Sequence, residues 1–372
     1  MNSVEKKFEI QKIKRDPSIE LLRIIGCFCV IGTHIKFDLK KKSIKNFPKI
    51  FNGCLCADGV AIFWYIMGFF LFNKIPYKKR INNLFKKICI PLILTNFFYF
   101  YFNTFNFNKF EIKSYFLNKT KKSYLKLFYR ILIFQGDHLW FCYVYILIVF
   151  LFPSLDGLNN EFEKNKISSL KIFFLFLSIF IENDILQNKV LRIKNYGFKG
   201  FLGAIPFIFC GNELKKNIHK FKNKKIFSIS ILFFLGNNYV RSKIIKYTGK
   251  TLLIKWYTSF GILNCFFLFL FVYSIHDYLN NKIIFFIINI ISNMTFNIYL
   301  IHMFVVNNIF KAYRIGKIFN KNNKTFKGVF YYQINSVFFV FSISFMFSII
   351  IKICKYILFS FKKLLFKKIK IN

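Results

Sequence analysis

Apolar runs recur along nearly the whole chain, each about long enough to cross a ~30 Å hydrocarbon core as a helix. They fall at 19–35, 55–73, 88–105, 139–153, 168–182, 199–213, 226–240, 257–275, 283–306 and 333–351. An open sheet edge cannot be satisfied in lipid, where backbone groups find no water. The expectation is therefore an all-α fold, a polytopic membrane helical bundle of about ten transmembrane helices. The runs at 168–182 and 226–240 are the shortest. With 55% hydrophobic residues and 57 phenylalanines among 372 positions, no stretch is left for a long soluble domain. A single transmembrane domain over 18–351 follows, with a basic segment at 1–17 before it. A basic amphipathic tail at 352–372 is expected to lie on the membrane surface. The first apolar run has no small-residue cleavage site, so it is expected to be retained rather than removed as a signal peptide.

The formal charge of +42 raises the question of a nucleic-acid partner. Its placement argues against one. The lysines sit in short connectors, as at Lys40-Lys41-Lys42 and Lys215-Lys216, and form no nucleic-acid module. Attraction to anionic lipid headgroups accounts for them, so the bilayer is the expected partner. Lys and Arg divide about evenly between alternate connectors, which leaves orientation open. Nine cysteines are scattered, mostly inside apolar runs, and the two Cys-x-Cys pairs lack partners at zinc-like spacing. Neither a disulfide nor a metal site is expected.

Against this apolar background the first run is unusual, because Glu20, Arg23 and His34 fall within it. An ionisable group inside a bilayer costs about 2.5–3.5 kcal/mol on insertion scales and usually faces a bundle interior. Glu20 lies three residues before Arg23, a spacing at which helical side chains meet. Eleven residues separate Arg23 from His34, about three turns and ~20°, and about 16 Å along the axis. The three groups line one face of the helix.

Two further histidines lie in dense local patterns. His138 opens His138-Leu139-Trp140-Phe141 at the start of the fourth run, where His138 and Trp140 suit either a polar site or an interfacial anchor. His302 closes Ser292-Asn293-Met294-Thr295-Phe296-Asn297-Ile298-Tyr299-Leu300-Ile301-His302. On one continuous helix Ser292, Thr295, Tyr299 and His302 share about 80° of arc, which fits a cavity wall or interhelical hydrogen bonding. In the second run Gly59 and Gly68 permit close helix approach. The basic connector after it holds Arg80, Lys86 and Lys87 ahead of Pro91, and could attract a polyanion such as the phosphates of coenzyme A.

Taken in chain order, these segments resemble the acyltransferase 3 family of integral-membrane O-acyltransferases. Ser18-x-Glu20-Leu21-Leu22-Arg23, then ten residues, then His34, is similar to the family's first-span pattern. Phe63 to Leu71 resembles its second-span Phe-Phe-x-x-Ser-Gly segment. His138-Leu139-Trp140-Phe141 with Pro153 resembles a polysaccharide O-acetyltransferase branch that includes the enterobacterial common antigen acetyltransferase. Thr295 to His302 resembles the segment near the family's end. The resemblance runs from about residue 15 to 351. Two departures stand out: the Ser-Gly pair is Met67-Gly68, and an Arg-x-x-Arg before the third-span proline is reduced to Lys86 and Lys87. Lysines grip phosphate as point charges, without bidentate geometry.

The resemblance implies transfer of an acetyl group from acetyl-CoA to a hydroxyl of a cell-surface polysaccharide or lipid-linked glycan precursor. It also implies a bacterial cytoplasmic (inner) membrane location with both termini cytoplasmic. Under it His34 is the general base or a covalent acetyl carrier, since imidazole has the right basicity near neutral pH. Glu20 and Arg23 would orient the donor or balance charge. His138, Trp140, His302 and Tyr299 would orient the acceptor or line the cavity, and Arg80, Lys86 and Lys87 would hold the donor's phosphates. Two alternatives stay open on sequence: an exporter of a lipid-linked glycan, and a degenerate, inactive acyltransferase.

Overall fold

The computed structural model describes residues 15–35, 46–104, 137–165, 171, 175, 177, 196–221, 223–249, 256–311, 313, 315–319 and 325–369. All regular structure among these is helical. α1 (Pro17–His34) starts where Asp16 Oδ1 accepts hydrogen bonds from the backbone N–H of Ser18 (2.8 Å) and of Ile19 (3.3 Å). Pro17 in the first turn has no N–H to satisfy, and Glu20 meets the positive end of the helix dipole. The same end is tied to α10 (Ser259–Ser274) and α11 (His276–Leu279). The Tyr273 hydroxyl donates to Asp16 Oδ2 at 2.9 Å, and Ser18 Oγ lies 2.9 Å from His276 Nδ1.

α2 (Phe47–Cys56) leads into α3 (Gly59–Leu71), which is held between α1 and α8 (Tyr196–Asn217) at backbone distance. A Cβ on Gly59 would lie 2.6 Å from the backbone nitrogen of Val30 in α1. One on Gly68 would lie 2.1 Å from the carbonyl oxygen of Ile208 in α8. Small residues at such crossings let helices gain packing that lipid alone does not drive. Backbone cannot yield as a side chain can. Gly68→Ala is therefore expected to cost about 1–3 kcal/mol, read as a lower thermal midpoint of the detergent-solubilised protein. An unchanged midpoint would show that α3 and α8 separate freely.

Beyond α3 come α4 (Tyr77–Leu84), a wide π turn (Phe85–Cys89) and α5 (Ile90–Thr104). A 3-10 turn (Asp137–Leu139) then opens α6 (Trp140–Phe150), followed by α7 (Phe152–Lys164). After α8 lie α9 (Lys224–Thr248), α10 and α11, then α12 (Lys282–Ser292) and α13 (Thr295–Phe304). A π turn (Val305–Lys311), α14 (Ile315–Phe319) and α15 (Phe326–Ile369) complete the described chain. α1 packs against α2, α3, α12, α13 and α15, so the helix with the polar face sits at the centre of the bundle.

The ten expected spans are not reproduced by length and apolarity. Among the described residues three helical stretches meet both tests: Pro17–His34, Phe47–Leu71 and Phe326–Ile353. Two bent pairs meet them only together, Trp140–Phe150 with Phe152–Lys164 (65°) and Lys282–Ser292 with Thr295–Lys311 (46°). The physical reason is visible in the remaining runs. Ser259–Ser274 is apolar but has 16 residues, while α8 and α9 carry Asn, Gly and charged residues inside their apolar stretches. The run at 168–182 lies largely outside the described residues. The bend at Asn293–Met294 also corrects the single helical wheel through Ser292 and His302. Ser292 ends one helix and turns its hydroxyl to the Asn289 carbonyl, whereas Thr295, Tyr299 and His302 share the next.

One buried polar network was not anticipated. Arg241 in α9 is fully buried and donates to Asp58 Oδ2 at 2.9 Å. Asn264 Nδ2 donates to the same oxygen at 2.6 Å, and Asn238 pairs with Asn264 at 3.0 Å. Asp58 immediately precedes α3, so this network joins α3 to α9 and α10.

Candidate active site

The polar residues of α1 occupy two neighbouring places. At one, Arg23 Nη1 donates to both oxygens of Glu20, at 2.7 and 2.9 Å. Glu20 is buried and Arg23 half-buried, so the carboxylate is neutralised while the guanidinium keeps one side open. That side faces a cavity of about 450 Å³, whose walls also carry Arg80, Lys87, Met67, Phe141, Tyr145, Thr295 and Tyr299.

α4 and the π turn after it supply the basic wall. Arg80, Asn83, Leu84, Lys87 and Ile88 all line the cavity, at the i, i+3, i+4, i+7, i+8 spacing of one helix face. The Arg80 guanidinium is fixed by Nη2 donating to the Asn73 carbonyl (3.1 Å) and by the Phe152 ring 3.9 Å away. Burial lowers its pKa from the ordinary arginine value, the usual effect of removing water from a charge. Lys86 is exposed and does not line this cavity, so the basic wall consists of Arg23, Arg80 and Lys87.

The second place is a cluster of three imidazoles. The His34 ring, in the last turn of α1, lies 5.2 Å from that of His302, and His302 lies 5.3 Å from His138. His302 is fully buried, and its Nδ1 sits 2.6 Å from the Tyr299 carbonyl oxygen. Tyr299 belongs to both places. It lines the cavity, its ring lies 5.7 Å from His302, and its hydroxyl donates to the His138 carbonyl.

Tyr99 of α5 is a residue the sequence did not single out. Its ring lies 5.1 Å from His138. Its hydroxyl donates to the Leu300 carbonyl and accepts from the Phe304 N–H, both at 3.0 Å. A hydroxyl inserted at this point of the ladder adjoins the change from α13 to the wider π turn. No local pattern in Phe97-Phe98-Tyr99-Phe100 marks it, because its partner is some 200 residues away. Trp140 is stacked on Trp256 at 5.7 Å and 12°.

The fold and the site define a helical membrane protein whose basic cavity shares Tyr299 with a cluster of three histidines. The acyltransferase domain of the acyltransferase 3 family matches residues 16–355, nearly the whole chain, and the chain belongs to that family. It is a membrane acyltransferase. No curated protein and no solved structure matches it.

Proposed function

We propose that the chain moves an acetyl group from acetyl-CoA to a hydroxyl of a cell-surface polysaccharide or lipid-linked glycan precursor, in a bacterial cytoplasmic membrane with both termini cytoplasmic. One observation carries the reading: a cavity with three cationic side chains and apolar walls has Tyr299 in its lining, and the Tyr299 ring lies 5.7 Å from His302, the middle member of the His138–His302–His34 cluster. Arg23, Arg80 and Lys87 supply charge for the donor's phosphates. The apolar walls suit its pantetheine arm. Glu20 holds Arg23 in place and offsets its charge.

In this reading His34 acts as general base. The acceptor O–H gives its proton to a nitrogen of His34, and its oxygen forms a bond to the acetyl carbonyl carbon. The carbon–sulfur bond breaks, and the departing thiolate takes the proton from His34. Each turnover returns the imidazole to its starting state.

Membranes containing the protein, supplied with radiolabelled acetyl-CoA, are expected to incorporate label into a membrane saccharide fraction that control membranes leave unlabelled. Absence of label would overturn the proposal. Arg80→Ala is expected to raise the KM for acetyl-CoA about 10-fold while kcat changes little, the pattern of a lost contact shared by ground and transition states. A fall in kcat at unchanged KM would instead place Arg80 in the chemical step.

A further inference from the structure

His302 presents a buried nitrogen that the fold leaves unused. A carbonyl oxygen can only accept, so the short contact with Tyr299 O requires the proton of a neutral His302 ring to be on Nδ1. Nε2 then carries a lone pair. That atom is buried and has no hydrogen-bond partner, on a side chain with no exposed surface. An unpaired buried polar atom is costly, and in a native structure it calls for an explanation. Two imidazoles stand at about the same range: the His34 ring 5.2 Å away, centroid to centroid, tilted by 47°, and the His138 ring 5.3 Å away and edge-on, its own Nε2 also buried without a partner. Of the two, His34 is the one the proposed transfer uses as base. Catalytic hydrogen bonds are often long before substrate is bound and tighten in the productive complex.

We infer that His302 is a positioning residue for His34: its Nε2 lone pair accepts the N–H of His34 and leaves the second His34 nitrogen basic toward the acceptor hydroxyl. The inference rests on the acetyl transfer proposed above. The proton from the hydroxyl goes to that second nitrogen, and the resulting imidazolium keeps its first N–H on His302. His302 itself neither gains nor loses a proton. A hydrogen bond from the charged form stabilises it, so His302 acts on the state that forms during transfer. The surrounding structure supports a fixed acceptor. His302 is tied to Tyr299, Tyr299 to the His138 backbone, and Tyr99 to both Leu300 and Phe304.

Two substitutions separate this role from a structural one. In His302→Asn the amide reaches the place of Nδ1, so it retains the bond to the Tyr299 carbonyl and loses the outer acceptor. In His302→Gln the amide oxygen reaches the place of Nε2 and retains that acceptor. Both variants, with wild type, would be assayed as full-length protein in membranes with radiolabelled acetyl-CoA. Rates would be taken per amount of protein that elutes as a single species after solubilisation. The expected result is a kcat about 100-fold lower for the Asn variant, a Gln variant within about 10-fold of wild type, and an acetyl-CoA KM within about 2-fold in both. An Asn variant as active as the Gln variant, or a Gln variant that falls with it, would overturn the positioning role. No transfer by wild type would overturn the proposed function, and this inference with it.

Discussion

His34→Ala is expected to lower acetyl transfer by about 10²–10⁴-fold, the usual contribution of a positioned general base. The acetyl-CoA KM should change little, because the cationic walls at Arg23, Arg80 and Lys87 belong to the other place on the site. His34 ends α1 and is only half-buried, and alanine is the better helix former. The variant should therefore insert and remain folded. Label transferred from acetyl-CoA per folded protein decides the matter. Incorporation at the wild-type rate would remove His34 from the chemistry.

Arg241→Met is expected to destabilise the protein more than any other substitution considered, by about 3–5 kcal/mol, since it leaves the Asp58 carboxylate buried without its cation. Asp58 holds a further hydrogen bond from Asn264, yet one amide cannot replace a guanidinium. The double variant Asp58→Asn, Arg241→Met should recover a substantial part of the loss, because the pair then leaves no isolated charge at this place. Thermal midpoints of the solubilised single and double variants check both statements. If the double variant were no more stable than Arg241→Met, the stranded charge would not be the cause.

Several parts of this protein were legible in the order of its residues. The Glu20–Arg23 pair follows from a three-residue spacing on a helix, and the structure brings the two together. Gly59 and Gly68 were readable as points of close approach, although which helices they admit was not. The cavity face of α4 was also legible in principle: Arg80, Asn83, Leu84, Lys87 and Ile88 repeat at helical spacing. That same periodicity, once applied, separates Lys87 from Lys86.

Other features had no local trace. Periodicity assumes an unbroken helix, and the bend at Asn293–Met294 removed Ser292 from the face it was expected to share with His302. Asp58 and Arg241 are 183 positions apart, and neither neighbourhood names the other. Tyr99 lies in an aromatic run of phenylalanines and a second tyrosine, Tyr101, and its two bonds are to backbone atoms of a distant helix.

By itself the sequence determined an all-helical membrane chain, because lipid leaves long apolar segments no other way to satisfy their backbone. It also determined that Glu20, Arg23 and His34 belong to one helix, since spacing along a helix is set by local geometry. Which polar groups meet was decided only by the tertiary structure. Arg23 joins Arg80 and Lys87 at a cavity, and His34 joins His302 and His138 in a cluster that Tyr299 touches. These meetings depend on how helices far apart in the chain pack, through backbone contacts at Gly59 and Gly68 and the bend before α13. Side-chain periodicity within any one segment carries no record of them.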